Sequence, residues 1–331
     1  MKLSPGIALA FLLVARPLAA QPIRVGYFAN ITHAQALIGL ADGSFQKALG
    51  PGVKIETLVF PAGPAAIEAL FAGAVDLLYV GPNPAINAYV RSGGDAARVV
   101  AGAASGGARL IVRSDAGISR ASDFAGKRLA TPQLGNTQDV AARSWLKANG
   151  LKPADQGGTV LIHPLAPADQ LSLFKQKGLD ASWAVEPWAS RLVSECGGKE
   201  FLDERKLWPQ GRFTTAVVLV SRPYLAAHPE VIRAWLKAHV ELTSWIRAHG
   251  KQARERINEQ LTRLGKPLDP ALLEQAFSHL EITYDPIAAS LTRAAEDAFA
   301  LGFLGKQKPD LSGLFDLTLL DAVLKEKGIR K

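Results

Sequence analysis

Between Ile23 and Val185, short apolar runs of β type alternate with amphipathic runs of helical spacing. This alternation restricts the chain to parallel α/β architecture, because each strand must be joined to its neighbour by a crossover that covers a sheet face. The strand-like runs are Ile23–Phe28, Lys54–Phe60, Asp76–Val80, Ala97–Ala103 and Arg109–Arg113, then Arg128–Ala130, Thr159–Pro164, Ala181–Val185 and finally Thr214–Ser221. Helical spacing marks His33–Leu49, Pro64–Ala72, Pro84–Arg91, Asn136–Asn149 and Ala168–Lys177, with a further helix opening at Glu186. From Pro223 the chain turns almost purely helical, with Val231–Ala248, Asp285–Leu301 and Leu314–Lys325 repeating apolar residues every three or four positions.

Two segments echo one another. GAVDLLYVGP (Gly73–Pro82) and GLDASWAVEP (Gly178–Pro187) both run from a glycine through an aspartate and an apolar strand to a proline that opens a helix. Any helix-to-strand turn can use such residues, but the echo fits two lobes of like design. A chain of 331 residues is long enough to divide in this way.

The first twenty residues read as a secretory signal: Lys2 supplies the charge, Ile7–Ala15 the apolar core, and Leu18-Ala19-Ala20 the small-residue end, with cleavage near Ala20. The apolar run is too short to span a bilayer, so no stable membrane insertion is expected. With Cys196 as the sole cysteine, no internal disulfide can form, which suits a bacterial periplasm better than a disulfide-rich secreted setting. Removing Lys2 and Arg16 from the formal charge of +8 leaves +6, with the cations scattered among acids as in KQARERINEQ. No basic stripe with interleaved aromatics is present, so nucleic acid is not an expected partner.

In parallel α/β sheets, ligands sit beyond the carboxyl ends of the strands. Five such ends converge on neutral donors, small residues, one acid and one indole. ANITHAQ offers Asn30, Thr32, His33 and Gln35; GPNPA offers Asn83; ASGGA offers Ser105, Gly106 and Gly107; TPQLGNTQ offers Gln133, Gly135, Asn136, Thr137 and Gln138; VEPW offers Glu186 and Trp188. TPQLGNTQD (Thr131–Asp139) is the most informative of these, because it links a short strand to an amphipathic helix. Helix starts leave N–H groups unpaired and carry the positive end of the macrodipole, which suits a small anion. Plainer roles also fit: Asn136 or Thr137 as an N-cap, Thr32 and Ser105 closing turns, His33 at a helix start, Glu186 favouring its own helix dipole, and Trp188 as core.

Catalysis finds little support. The sequence contains no GxSxG elbow, no HExxH, no GxGxxG after the first strand and no GxxxxGK[ST]. No cofactor and no metal site are expected, and the chain does not read as an enzyme.

Taken in order, IRVGYF, GAVDLLYVGPNPA, ASGGA, DFAGKRLATPQLGNTQD, WAVEPW and TTAVVLVSRPYL resemble the substrate-binding proteins of ABC importers. The narrower resemblance is to those that bind aliphatic sulfonates, taurine or nitrate, which are related to the thiamine-pyrimidine-binding group. It implies a two-lobed periplasmic-binding fold of type II, monomeric, with the helical C-terminal segment packing on lobe one. Lobe one would take residues 21–109 and 216–331, lobe two residues 110–215, with crossings near Leu110–Arg113 and Phe213–Val217. The implied ligand is a small anion, an aliphatic sulfonate foremost, delivered to a membrane permease and its ATPase. Its oxyanion head would meet Ser105 and Gly106 from one side and Gln133, Asn136 and Thr137 from the other, with Thr215 at the second crossing. Glu186 would accept from an ammonium of a taurine-like ligand, and Trp188 would cover an alkyl segment. Taurine, nitrate or a pyrimidine as ligand, a non-transport sensor, and an exported enzyme of the same fold are the alternatives.

Overall fold

A computed structural model describes residues 21–329, so the signal expected over residues 1–20 lies outside the described residues. Its strands are β1 (Gln21–Tyr27), β2 (Val53–Val59), β3 (Leu77–Val80), β4 (Ala97–Gly106), β5 (Ala108–Arg113), β6 (Arg128–Thr131), β7 (Leu161–Pro164), β8 (Ala181–Val185), β9 (Gly198–Asp203), β10 (Thr214–Ser221) and β11 (Leu280–Ile282). They form two sheets, one in the order β11-β4-β10-β3-β1-β2 and the other in the order β7-β6-β8-β5-β9. The sheets are mixed rather than wholly parallel: β1 pairs in parallel with β2 and β3, and β6 with β7 and β8, with Ile23 opposite Ile55 and Leu129 opposite Ile162, while the other pairings, including β11 on β4, are antiparallel. One antiparallel strand runs inside each sheet, β10 between β3 and β4 and β5 between β8 and β9.

The helices α1 (Ala34–Ala41), α2 (Ser44–Leu49), α3 (Gly63–Phe71) and α4 (Pro82–Arg91) belong to the first sheet's crossovers, and α5 (Thr137–Ala148), α6 (Pro167–Lys175) and α7 (Trp188–Cys196) to the second's. The C-terminal third supplies α8 (Arg222–Ala227), α9 (Pro229–Ala248), α10 (Gly250–Arg263), α11 (Pro270–Ser278), α12 (Ala288–Ala300) and α13 (Thr318–Glu326). Among these, α9 carries the longest apolar stripe and seals the first sheet. Its Trp235 stacks on Phe45 of α2 with ring centroids 3.7 Å apart. Trp235 also donates to Tyr79, whose hydroxyl meets His239 Nδ1 at 2.9 Å while His239 Nε2 meets the Gly102 carbonyl. Burial lowers the His239 pKa to about 4, so the ring is neutral and this polar chain is satisfied inside the core. A second core, with Phe124, Trp145 and Trp183, lies on the other sheet.

The sequence echo has a geometric counterpart. Arg24 at the start of β1 clamps Asp76 ahead of β3: its N–H and Nε both donate to Oδ2, at 2.8 and 2.9 Å, and Nη2 donates to Oδ1. Arg128 in β6 clamps Asp180 ahead of β8 in the same way, at 2.9 and 3.0 Å to Oδ2 and with Nη2 on Oδ1. The two sheets therefore repeat one local solution for aligning a pair of parallel strands.

Several boundaries differ from the sequence expectation. The helix expected over His33–Leu49 breaks at Asp42–Gly43, where Asp42 Oδ1 accepts the Ser44 N–H and starts a new helix. The helix expected from Glu186 begins at Trp188, and the one expected from Asp285 begins at Ala288. β4 does not stop at Ala103 but runs on to Gly106 and passes into β5 across Gly107. Both glycines have φ near +75°, a conformation other residues adopt only under strain, so the chain leaves the first sheet there rather than near Leu110.

Candidate functional site

A narrow cleft of about 30 Å³ lies where the carboxyl ends of the two sheets face each other. From the first sheet it is lined by Phe28, Asn30, Thr32 and His33 after β1, Pro61 and Ala62 after β2, Gly81 after β3, and Thr215 at the start of β10. The second sheet contributes Pro132, Asn136, Thr137 and Gln138 at the start of α5, Pro167 at the start of α6, and Val185 at the end of β8. None of these residues is lysine, arginine, aspartate or glutamate.

The start of α5 is built to present donors. Asn136 is its N-cap, and its Oδ1 accepts the Gln138 N–H at 2.9 Å. The N–H of Thr137, in the first helical position, has no carbonyl within the helix to reach. Asp139, fully buried, fixes the preceding loop from within: Oδ1 accepts the Thr131 hydroxyl at 2.9 Å and Oδ2 accepts the Gly135 N–H at 3.0 Å. Arg143 Nε, 3.0 Å from Asp139 Oδ2, balances the charge of that carboxylate, so its position near the helix start need not repel an anion.

Opposite α5, His33 Nδ1 accepts the Phe28 N–H at 3.0 Å. Burial lowers the pKa of this histidine to about 3, so the neutral ring carries its proton on Nε2 and offers an uncharged donor. The two sides touch beside it. Thr137 Oγ1 lies 3.4 Å from the Asn83 N–H and would lie only 2.5 Å from a β-carbon placed on Gly81. A side chain at Gly81 would hold the two sides apart.

Asn30, Thr32, His33, Asn136, Thr137, Gln138 and Thr215 are thus brought together at the cleft. The other expected residues lie elsewhere. Gln35 is buried behind it, with Nε2 donating to the Ala103 carbonyl and to Thr243. Asn83 ties α4 to α12 through the Ala294 carbonyl. Extension of β4 consumes the ASGGA donors: the Gly106 N–H goes to Phe213, the Gly107 N–H goes to His279, and Ser105 Oγ accepts the Phe213 N–H. The Thr215 hydroxyl donates to the Gly106 carbonyl. Gly135 spends its N–H on Asp139, and Gln133 Oε1 is buried without a partner among the described residues.

Glu186 is fully buried, 2.5 Å from Arg109 Nη2, and its other oxygen accepts the Ser190 N–H at 3.1 Å. Burial raises its pKa and Arg109 opposes the shift. Trp188 is packed rather than open to the cleft, and its indole donates to Asn30 Oδ1 at 3.0 Å. Sequence reading missed the Arg109–Glu186 pair because its members are 77 positions apart. It also missed the walls formed by Phe28, Pro61, Ala62, Pro132, Pro167 and Val185, which carry no chemical signature.

Two other features stand apart from this cleft. Glu200, Asp203 and His279 place potential metal-ligand atoms within 4.8 Å of one another, but Arg109 pairs with Glu200 and Arg205 with Asp203, which leaves poor terms for a cation. A larger groove of about 550 Å³ between α2 and α9 is lined by Asp42, Lys47, Arg233, Lys237 and Glu241 and does not reach the strand ends. Among the described residues, no helix is long and apolar enough to cross a membrane.

Residues 17–261 match the model of the NMT1-like family. The taurine-binding periplasmic protein of Escherichia coli K12 is 26% identical over 222 residues, covering 67% of this chain and 66% of that protein. Among solved structures, the alkanesulfonate-binding protein SsuA of Xanthomonas axonopodis pv. citri, bound to MOPS, superposes with a TM-score of 0.74 at 22% identity, covering 91% of this chain and 99% of that one. The periplasmic nitrate-binding protein NrtA of Synechocystis PCC 6803 superposes with a TM-score of 0.77 at 14% identity, covering 93% and 89%. These likenesses show the fold as that of the periplasmic binding proteins.

Proposed function

The chain belongs to the NMT1-like family, and on that premise we propose that it is an exported binding protein that carries a small oxyanion to an ABC permease and its ATPase. The ligand sits in the cleft between the two sheets, its anionic head at the start of α5 and its remaining surface against the apolar walls. The observation that carries this reading is the facing arrangement of uncharged donors: Asn136, Thr137 and Gln138 on one side, Thr32 and His33 on the other. A helix start attracts negative charge through its free N–H groups and its dipole, and neutral donors hold an anion without burying a cation beside it. Sulfonates fit that chemistry, and the taurine-, alkanesulfonate- and nitrate-binding relatives support the class of ligand.

The two lobes meet at Gly106–Gly107 and at the segment before Thr214, and they part about those connections to admit the ligand. Closure then follows from the ligand's better contacts in the closed form. The test is a thermal-shift screen of the mature protein against alkanesulfonates, taurine, nitrate and thiamine pyrimidine. Ligand at a hundredfold excess over Kd stabilises by about 2.7 kcal/mol, which raises Tm by several degrees. A rise confined to oxyanions supports the reading. A rise only with the pyrimidine, or with none of the panel, overturns it.

A further inference from the structure

Helix α5 is shared between the two sheets. Ala142, Trp145 and Leu146 on one face belong to the core of the second sheet, together with Leu129 and Trp183. Val140, only 2% exposed, turns the other way and lies in a core of the first sheet, among Ala85 of α4 and Leu291, Ala294 and Ala298 of α12. Contacts along the rest of α5 fall to the same partner, α12 and the turn that follows it. In the loop before α5, a β-carbon placed on Gly135 would lie 3.6 Å from the ring of Phe303. Further along, the Arg143 guanidinium stands 5.9 Å from the centroid of that ring, and in the last turn Lys147 Nζ donates to the Ala300 carbonyl at 3.3 Å. Phe303 itself packs on the same core as Val140. Neither Val140 nor Phe303 lines the cleft.

We infer that Val140 and Phe303 are positioning residues for ligand binding: without touching ligand, they form an apolar seam between the lobes that holds the start of α5 against Thr32 and His33. The inference rests on the proposed oxyanion-binding function and adds the contact that sets its affinity. Parting the lobes returns the seam to water, which is unfavourable in proportion to the apolar area exposed. Because these contacts exist only with the lobes together, they favour the closed form over the open one, and a ligand held by the closed form gains affinity to the same extent. Phe303 has a second effect. It packs beside Gly135, whose N–H is fixed by Asp139, and beside Arg143, which balances that carboxylate, so it also steadies the loop that ends at Asn136.

The experiment compares Val140→Ala and Phe303→Ala with Leu146→Ala, which removes apolar surface from the opposite face of the same helix, inside the second sheet's own core. Ethanesulfonate is the probe; stopped flow follows its dissociation, and small-angle scattering gives the shape of the ligand-free protein. Each seam variant should release ethanesulfonate about tenfold faster, the effect expected for the two methyl groups lost in Val140→Ala, and should enlarge the ligand-free radius of gyration. Leu146→Ala should lower the urea midpoint while leaving both readouts near those of the parent. Unchanged dissociation and scattering in the seam variants overturn the inference. An equal change in Leu146→Ala also overturns it, because the role would then be a general structural one. If the parent takes up no ethanesulfonate, the oxyanion function falls and scattering alone decides the seam: a larger radius in the two variants upholds it, and an unchanged radius overturns it.

Discussion

The indole N–H of Trp188 donates to the side-chain oxygen of Asn30 across 3.0 Å, joining the first turn of α7 on the second sheet to the loop after β1 on the first. Both groups are buried, and this bond exists only while the two lobes are together. Trp188 is therefore better placed to report closure than to touch ligand.

Trp188→Phe keeps an aromatic ring but removes the pyrrole ring together with its N–H donor. A typical hydrogen bond contributes about 1 kcal/mol, so apparent ligand affinity should fall by about fivefold. Calorimetry checks the affinity, and small-angle scattering checks whether the liganded variant remains more open. An unchanged Kd would show that the bond does not contribute to closure.

Gly81→Ala tests the contact between lobes directly. Gly81 has φ −69°, so alanine fits the backbone, and the added methyl meets only Thr137 Oγ1 at close range. Folding of the isolated lobes should be unaffected, whereas closed-state binding should weaken by tenfold or more, roughly the effect of holding packed surfaces apart. A stable variant that binds as tightly as the parent would show that the lobes need not approach so closely.

Asp139→Asn should cost stability and affinity together. The carboxylate accepts from Thr131, Gly135 and Arg143, and an amide would turn a donor towards one of them. Breaking such a buried pair costs about 3 kcal/mol, visible as a lower urea midpoint, with affinity falling as the loop before α5 loosens. Asn136→Ala removes the cap, costing about 1 kcal/mol of stability, and with it one of the proposed ligand donors, so affinity should fall as well.

Glu204 lies next to the second connection between lobes and is held by two indoles, Trp183 at 2.7 Å and Trp208 at 3.3 Å. Burial raises its pKa from 4.5 to about 7. Because the folded value exceeds the unfolded one, folding favours the protonated acid. Its contribution is complete below about pH 4.5 and is lost as pH rises through 7, amounting to about 3 kcal/mol at most. His33 and His239, with lowered pKa values, act in the opposite sense as pH falls below 6.5. The informative quantity is thus the stability of Glu204→Gln minus that of the parent, measured by urea unfolding. It should rise from pH 5 to pH 8, and a flat difference would show that Glu204 does not titrate there.

The sequence by itself determined the α/β class, most strand positions and the start of α5 as the donor-rich end of a helix. Those features depend on neighbours within a few residues: apolar alternation, proline at helix starts, and the Asn136 cap. It also held the Gly73–Pro82 and Gly178–Pro187 echo, whose aspartates prove to sit under matched arginines. The tertiary structure alone decided which candidates reach the cleft. ASGGA reads as a free loop until β4 extends through Gly106 and pairs its donors with Phe213 and His279. Glu186 reads as an available acid until Arg109 arrives from a neighbouring strand and neutralises it. Hydrogen bonds and charges are satisfied by whatever the fold brings near, and partners 70 or more positions apart leave no mark on the local pattern that shapes a helix or a strand.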